Sequence, residues 1–132
     1  MKLINYTLQA TALLCMYTAQ AANSTNLIEV TSEDQYQTIL AEKKLLVLEF
    51  YAPWCGACKN AKPHVEKLTQ EYPTITILKL NGDTFRTLIE QYKVSAYPTF
   101  IVLDATGKAV DRVVGGNMDK LRRTIMRNCA NP

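Results

Sequence analysis

Hydrophobic positions along this chain alternate between continuous runs and a spacing of three to four residues. Leu27-Ile28-Glu29-Val30 reads as a short strand. Ser32 and Gln35 then stand at capping-box spacing, with Tyr36, Ile39 and Leu40 on one helical face. Leu45 to Tyr51 is rich in Leu, Val and Phe and suits a strand buried on both faces. Cys58, Ala61, Val65, Leu68 and Tyr72 fall on one face of a long helix, and Pro63 inside it is expected to kink it by removing a backbone donor. Thr74 to Leu80 is β-branched and alternating, hence a strand, and Phe85, Leu88, Ile89 and Tyr92 mark a further helix. Thr99–Leu103 and Ala109–Val114 flank Asp104-Ala105-Thr106-Gly107, a hairpin signal. Asn117 can cap a last helix whose apolar face holds Leu121 and Ile125. The order β-α-β-α-β-α-β-β-α predicts an α/β fold, a mixed central sheet with helices on both faces.

Before Glu29 the chain is different. No charged side chain lies between Lys2 and Glu29, Leu8 to Ala19 is mostly apolar or small, and Ala19-Gln20-Ala21 offers small residues to a signal peptidase. Residues 1–21 therefore read as a signal peptide cleaved before Ala22, leaving residues 22–132 as one domain. An uncleaved anchor is disfavoured, because the apolar run is shorter than the ~20 residues of a spanning helix. Lipidation at Cys15 is disfavoured by the bulky Leu14 before it. The 132 residues suffice for a single core, and a hydrophobic fraction of 48% with 20% charged residues fits a globular protein. The net charge of +3 comes from scattered residues, with Lys43-Lys44 and Arg122-Arg123 the only basic pairs, which argues against a nucleic-acid partner.

The chemistry concentrates at Cys55-Gly56-Ala57-Cys58, where a buried strand gives way to a helix. Two cysteines so spaced at a helix start can close a small disulfide ring. Cys55 would face unpaired N–H groups and the positive end of the helix dipole, which favour thiolate over thiol. Cys58, one turn on and facing the core, would attack the resulting mixed disulfide and release the substrate. Gly56 keeps the turn small and Trp54 can cover the sulfurs. Such a pair also makes half of a zinc site, but the sequence has no second pair, and His64 with Cys129 would complete only an irregular one. A plain stabilising disulfide is the other alternative, although so short a loop gains little stability from closure. Cys129 continues the Leu121 and Ile125 spacing and reads as a part-buried structural thiol; it could also pair with a partner or lie free near the terminus.

The segment Leu46-Val47-Leu48-Glu49-Phe50-Tyr51-Ala52-Pro53-Trp54-Cys55-Gly56-Ala57-Cys58-Lys59 resembles the active-site strand and helix start of thioredoxins and protein disulfide isomerase domains. Pro63 matches the family's helix proline, Val94-Ser95-Ala96-Tyr97-Pro98-Thr99-Phe100 is similar to its cis-proline segment, and Gly115 to the glycine after its last strand. The resemblance implies a thioredoxin fold over roughly residues 27 to 128. It also implies a cis Pro98 opposite the sulfurs and a Tyr97 backbone turned towards an extended substrate. Glu49 would be the buried carboxylate that takes the proton of Cys58, and Lys79 the lysine that moderates its burial. Gly56-Ala57 departs from the Gly-Pro of thioredoxins and the Gly-His of disulfide isomerases, so the direction of electron flow stays open.

The expected activity is thiol–disulfide oxidoreduction on protein substrates, with reduction favoured and no cofactor beyond the cysteine pair. An oxidase or isomerase of the same fold, or a non-catalytic adaptor, are the alternatives. Export, to a periplasm or outside the cell, would call for a redox partner such as a membrane electron carrier; the C-terminus shows no KDEL-type signal, and a monomer is expected.

Overall fold

The computed structural model describes residues 26–130, so the proposed leader and Cys15 lie outside it. Its strands are β1 (Leu27–Glu29), β2 (Leu46–Tyr51), β3 (Thr76–Asn81), β4 (Thr99–Leu103) and β5 (Ala109–Val114). Its helices are α1 (Glu33–Leu40), α2 (Gly56–Glu71), α3 (Arg86–Gln91) and α4 (Met118–Ala130). The sheet order is β1-β3-β2-β4-β5, with β4 antiparallel to both its neighbours and the other pairings parallel. β2 thus lies at the centre, and its apolar run, broken only by Glu49, follows from burial on both faces.

Alternation along the strands sends side chains into two cores. On one face Leu48, Phe50, Leu80 and Ile101 pack under Tyr36 of α1 and Leu88 of α3. On the other, Val47, Ile77, Phe100 and Val102 pack under Val65 of α2 and Leu121 of α4. Each such side chain gains roughly 1.5–3 kcal/mol on burial, so the sheet is clamped from both sides.

Local chemistry sets the element ends. Ser32 Oγ accepts the Gln35 N–H at 3.1 Å, but Gln35 Oε1 accepts from the Thr31 N–H at 2.8 Å instead of from Ser32. The reciprocal half of the capping box is therefore moved back by one residue. Asn117 Oδ1 caps α4 through the Lys120 N–H at 2.9 Å. In the β4–β5 hairpin Asp104 Oδ1 accepts the N–H groups of Thr106 and Lys108 at 2.8 and 3.1 Å, and Gly107 takes a φ of 83° that favours glycine. α2 continues through Pro63 to Glu71, although Pro63 gives the Lys59 carbonyl no donor. Cys129 is half-buried against the α2–α4 core, as its spacing suggests.

Candidate active site

β2 ends at Tyr51, and the chain turns through Ala52-Pro53-Trp54 into α2. Cys55 is the N-cap residue of that helix, and its Sγ accepts the Cys58 N–H at 3.1 Å. The sulfur takes the place that a serine or aspartate oxygen fills at other helix starts. Cys55 and Cys58 are joined by a disulfide, their Cα atoms 5.3 Å apart, and both are buried. Gly56 and Ala57 between them are exposed, so the ring lies at the surface while the sulfurs sit beneath it.

Trp54 stands over the site with 68% of its surface exposed. Its indole N–H donates to Asp83 Oδ2 at 3.1 Å, and its ring meets Tyr97 edge-on with centroids 5.9 Å apart. Tyr97 also packs against the Ala52–Cys55–Cys58 cluster. The Tyr97–Pro98 bond is cis, and the Pro98 carbonyl accepts the Gly115 N–H at 2.8 Å. The segments bearing Trp54, the cysteines, Tyr97-Pro98 and Gly115 are therefore linked by direct contacts. On the other side of Ala57, between α2 and α4, a cavity of about 480 Å³ is lined by Asn60, His64, Met118 and Arg122.

Behind the sulfurs lies Glu49, 1% exposed on the central strand, with no hydrogen-bond partner for Oε2. Burial pushes its carboxyl up to about 7; the charge of Lys79 works against that rise and the charge of Glu29 adds to it. Glu49, Cys58, Lys59, Lys62 and Lys79 line one cavity of about 110 Å³, volume enough to admit water. Lys79 is beside Glu49 in strand register, but its salt bridge goes to Glu29 Oε2 at 3.2 Å. Its ammonium also lies 4.3 Å from the centre of the Tyr51 ring. Tyr51 in turn donates its hydroxyl to Glu29 Oε1, and burial followed by that bond raises its phenol.

Trp54, Cys55, Gly56, Ala57, Cys58, Glu49, Lys79, Tyr97 and Pro98 thus share one neighbourhood, with Lys79 bonded differently from the expected arrangement, whereas Cys129 lies in the α2–α4 core. Glu29, Tyr51 and Asp83 were not anticipated as part of it. A signal for Glu29 exists: β1 and β2 each carry one charged residue, β3 likewise, and parallel pairing in register aligns them.

The thioredoxin family model matches residues 27–127. The chain belongs to the thioredoxin family. It is 37% identical over 94 residues to "Thioredoxin-1" of Saccharomyces cerevisiae, covering 71% of this chain and 90% of that one. It is 33% identical over 101 residues to "Thioredoxin-3, mitochondrial" of the same yeast, covering 76% and 79%. A thioredoxin crystal structure from Trypanosoma brucei brucei superposes with a TM-score of 0.76 at 31% identity, covering 83% of this chain and 96% of that one. Family membership and the joined Cys55–Cys58 pair make this protein a thiol–disulfide oxidoreductase. It acts on protein disulfides through its own cysteines, without a cofactor.

Proposed function

We propose that this thioredoxin works as a reductase, with Cys55 as the attacking thiolate and Cys58 as the resolving thiol. The observation that carries the assignment is the position of Cys55 Sγ at the start of α2. There the Cys58 N–H and the helix dipole stabilise negative charge on that sulfur. In the reduced enzyme the Cys55 thiolate attacks one sulfur of a substrate disulfide, forming a mixed disulfide and expelling the other sulfur as a thiolate. Cys58 then gives its proton to the Glu49 carboxylate, directly or through water in their shared cavity, and attacks the Cys55 sulfur. The Cys55–Cys58 bond forms, the bond from Cys55 to substrate breaks, and two electrons have passed to the substrate. Protons from Glu49 and solvent complete its two thiols.

Tyr97-Pro98 and Trp54 form the docking edge in this reading. The Tyr97 backbone pairs with an extended substrate strand, while Gly56 and Ala57 keep the approach low. Lys79 offsets part of the cost of charging Glu49. The protein acts as a monomer and is re-reduced by a redox partner, a membrane electron carrier being the fitting class if it is exported. Support for export is the charge-poor segment ending Ala19-Gln20-Ala21. A secreted protein beginning at Ala22, read by mass spectrometry, is the expected product; a secreted or cellular product retaining Met1–Ala21 overturns it.

The central test is Cys58→Ser, which removes the resolving thiol and should accumulate disulfide-linked substrates on Cys55. Recovery of none, with biological activity retained, would favour an adaptor. Equilibration of the protein with graded glutathione buffers decides direction. A potential near that of thioredoxins, about −270 mV, supports reduction, and one near −120 mV makes the protein a disulfide donor instead.

A further inference from the structure

β1, β3 and β2 are neighbours in the sheet, and their register places Glu29, Lys79 and Glu49 in one cross-strand row. Period-two alternation points that row towards α2, the side that carries Cys58. The middle ammonium thus has a carboxylate on either hand. It bonds the outer one, Glu29, which is half exposed, and the inner one keeps an oxygen with no hydrogen-bond partner although it is buried. Tyr51 holds the outer arrangement from the other side, with its hydroxyl on Glu29 and its ring under the Lys79 ammonium. A lysine tied to the edge of the sheet leaves Glu49 without the direct ion pair that would fix it as a carboxylate.

The geometry points to Glu29 as a positioning residue of the active site: it holds Lys79 at the sheet edge and so keeps Glu49 able to take up and give back a proton. The inference rests on the reading of Glu49 as the proton acceptor for Cys58, and it deepens that reading by naming what tunes the acceptor. The groups facing Glu49 are Lys79 from β3, Tyr51 from its own strand, and Cys58, Lys59 and Lys62 from α2, while Phe100 is its partner in β4. Among them Lys79 has an acidic partner on an outer strand that can draw it away. Lys62 pairs within α2 with Glu66 at 3.9 Å. Removal of the Glu29 charge acts twice in one direction: it takes a negative charge from two strands away, about 10 Å, and it frees Lys79 to turn inward. Both favour the ionised form of Glu49.

The test is Glu29→Gln, a substitution at a half-exposed edge position, read by 13C NMR of glutamate side-chain carboxyls in the oxidised protein. With Cys55 and Cys58 joined, neither of them titrates, and the Glu49 titration is uncoupled from the active-site pair. The Glu49 midpoint should fall by about one pH unit, given charges at this spacing. In a Lys79→Met background the midpoint should start higher, and Glu29→Gln should then move it less, because only the direct effect of the Glu29 charge remains. An unmoved midpoint, or an equal shift in both backgrounds, overturns the inference. The pH profile of mixed-disulfide resolution in the reduced protein separates the two readings. If the NMR midpoint falls and the profile follows, both stand. If the midpoint falls and the profile stays, Glu29 tunes Glu49 as inferred and Glu49 is not the acceptor.

Discussion

Glu49→Gln keeps the shape of the side chain but cannot ionise, so it isolates what the buried charge does to stability. In the unfolded chain this carboxyl titrates near 4.5, and in the fold burial moves it to about 7. Between those values the folded protein holds a proton that the unfolded chain has released. The stability this represents is fully present below about pH 4.5 and is lost as pH rises through about 7. At 1.36 kcal/mol per pH unit the full loss is about 3 kcal/mol. The neutral amide of the variant carries no such penalty at any pH. The unfolding free energy of the variant minus that of the parent should therefore increase by about 3 kcal/mol from about pH 4 to about pH 8.5, other titrating groups cancelling in the difference. Urea unfolding of both oxidised proteins, followed by far-ultraviolet circular dichroism across that range, measures it. A difference constant to within about 0.5 kcal/mol at every pH would show that Glu49 titrates as a solvated glutamate and would refute the reasoning.

Two further perturbations probe other parts of the fold. Tyr36 and Tyr92 share a buried hydroxyl–hydroxyl bond of 2.8 Å, so Tyr36→Phe should cost about 1–2 kcal/mol in urea unfolding by leaving Tyr92 unpaired. Adding Tyr92→Phe should cost little more, and equal, additive losses would mean the bond contributes nothing. A Cβ at Gly82 would overlap the phenol of Tyr97, so Gly82→Ala should swing that ring off Trp54 and disturb the edge beside Pro98. About a ten-fold fall in kcat/KM with a protein disulfide is expected, given how steeply rate depends on approach geometry. An unchanged value would remove Tyr97 from the docking edge.

The element order was legible because each segment shows one clear period, and the cysteine pair because it stands at a strand-to-helix junction flanked by a matching sequence. What escaped were relations set by sheet order. Glu29, Lys79 and Glu49 are far apart along the chain, and their row exists only because β3 lies between β1 and β2. For the same reason Lys79 was expected beside Glu49 without a rival, whereas an outer carboxylate completes its pairing. The strand expected from Thr74 starts at Thr76, because the Ile75 N–H closes a turn onto the Tyr72 carbonyl. Asp83 follows β3 in a loop, and only folding brings it to the Trp54 indole.

The sulfur of Cys55 that caps α2 ties the chemistry of this protein to its folding. A thiolate accepts the Cys58 N–H more strongly than a disulfide sulfur does, so reduction tightens the first turn of the helix while opening the ring. Whatever net advantage folding gives one redox form must reappear as a change in the tendency of the pair to be that form. A difference of about 1.4 kcal/mol in unfolding free energy between the oxidised and reduced proteins corresponds to about 30 mV between the folded and unfolded pairs. Two denaturation curves, one for each form, thus report how far the fold has moved the potential of its own cysteines.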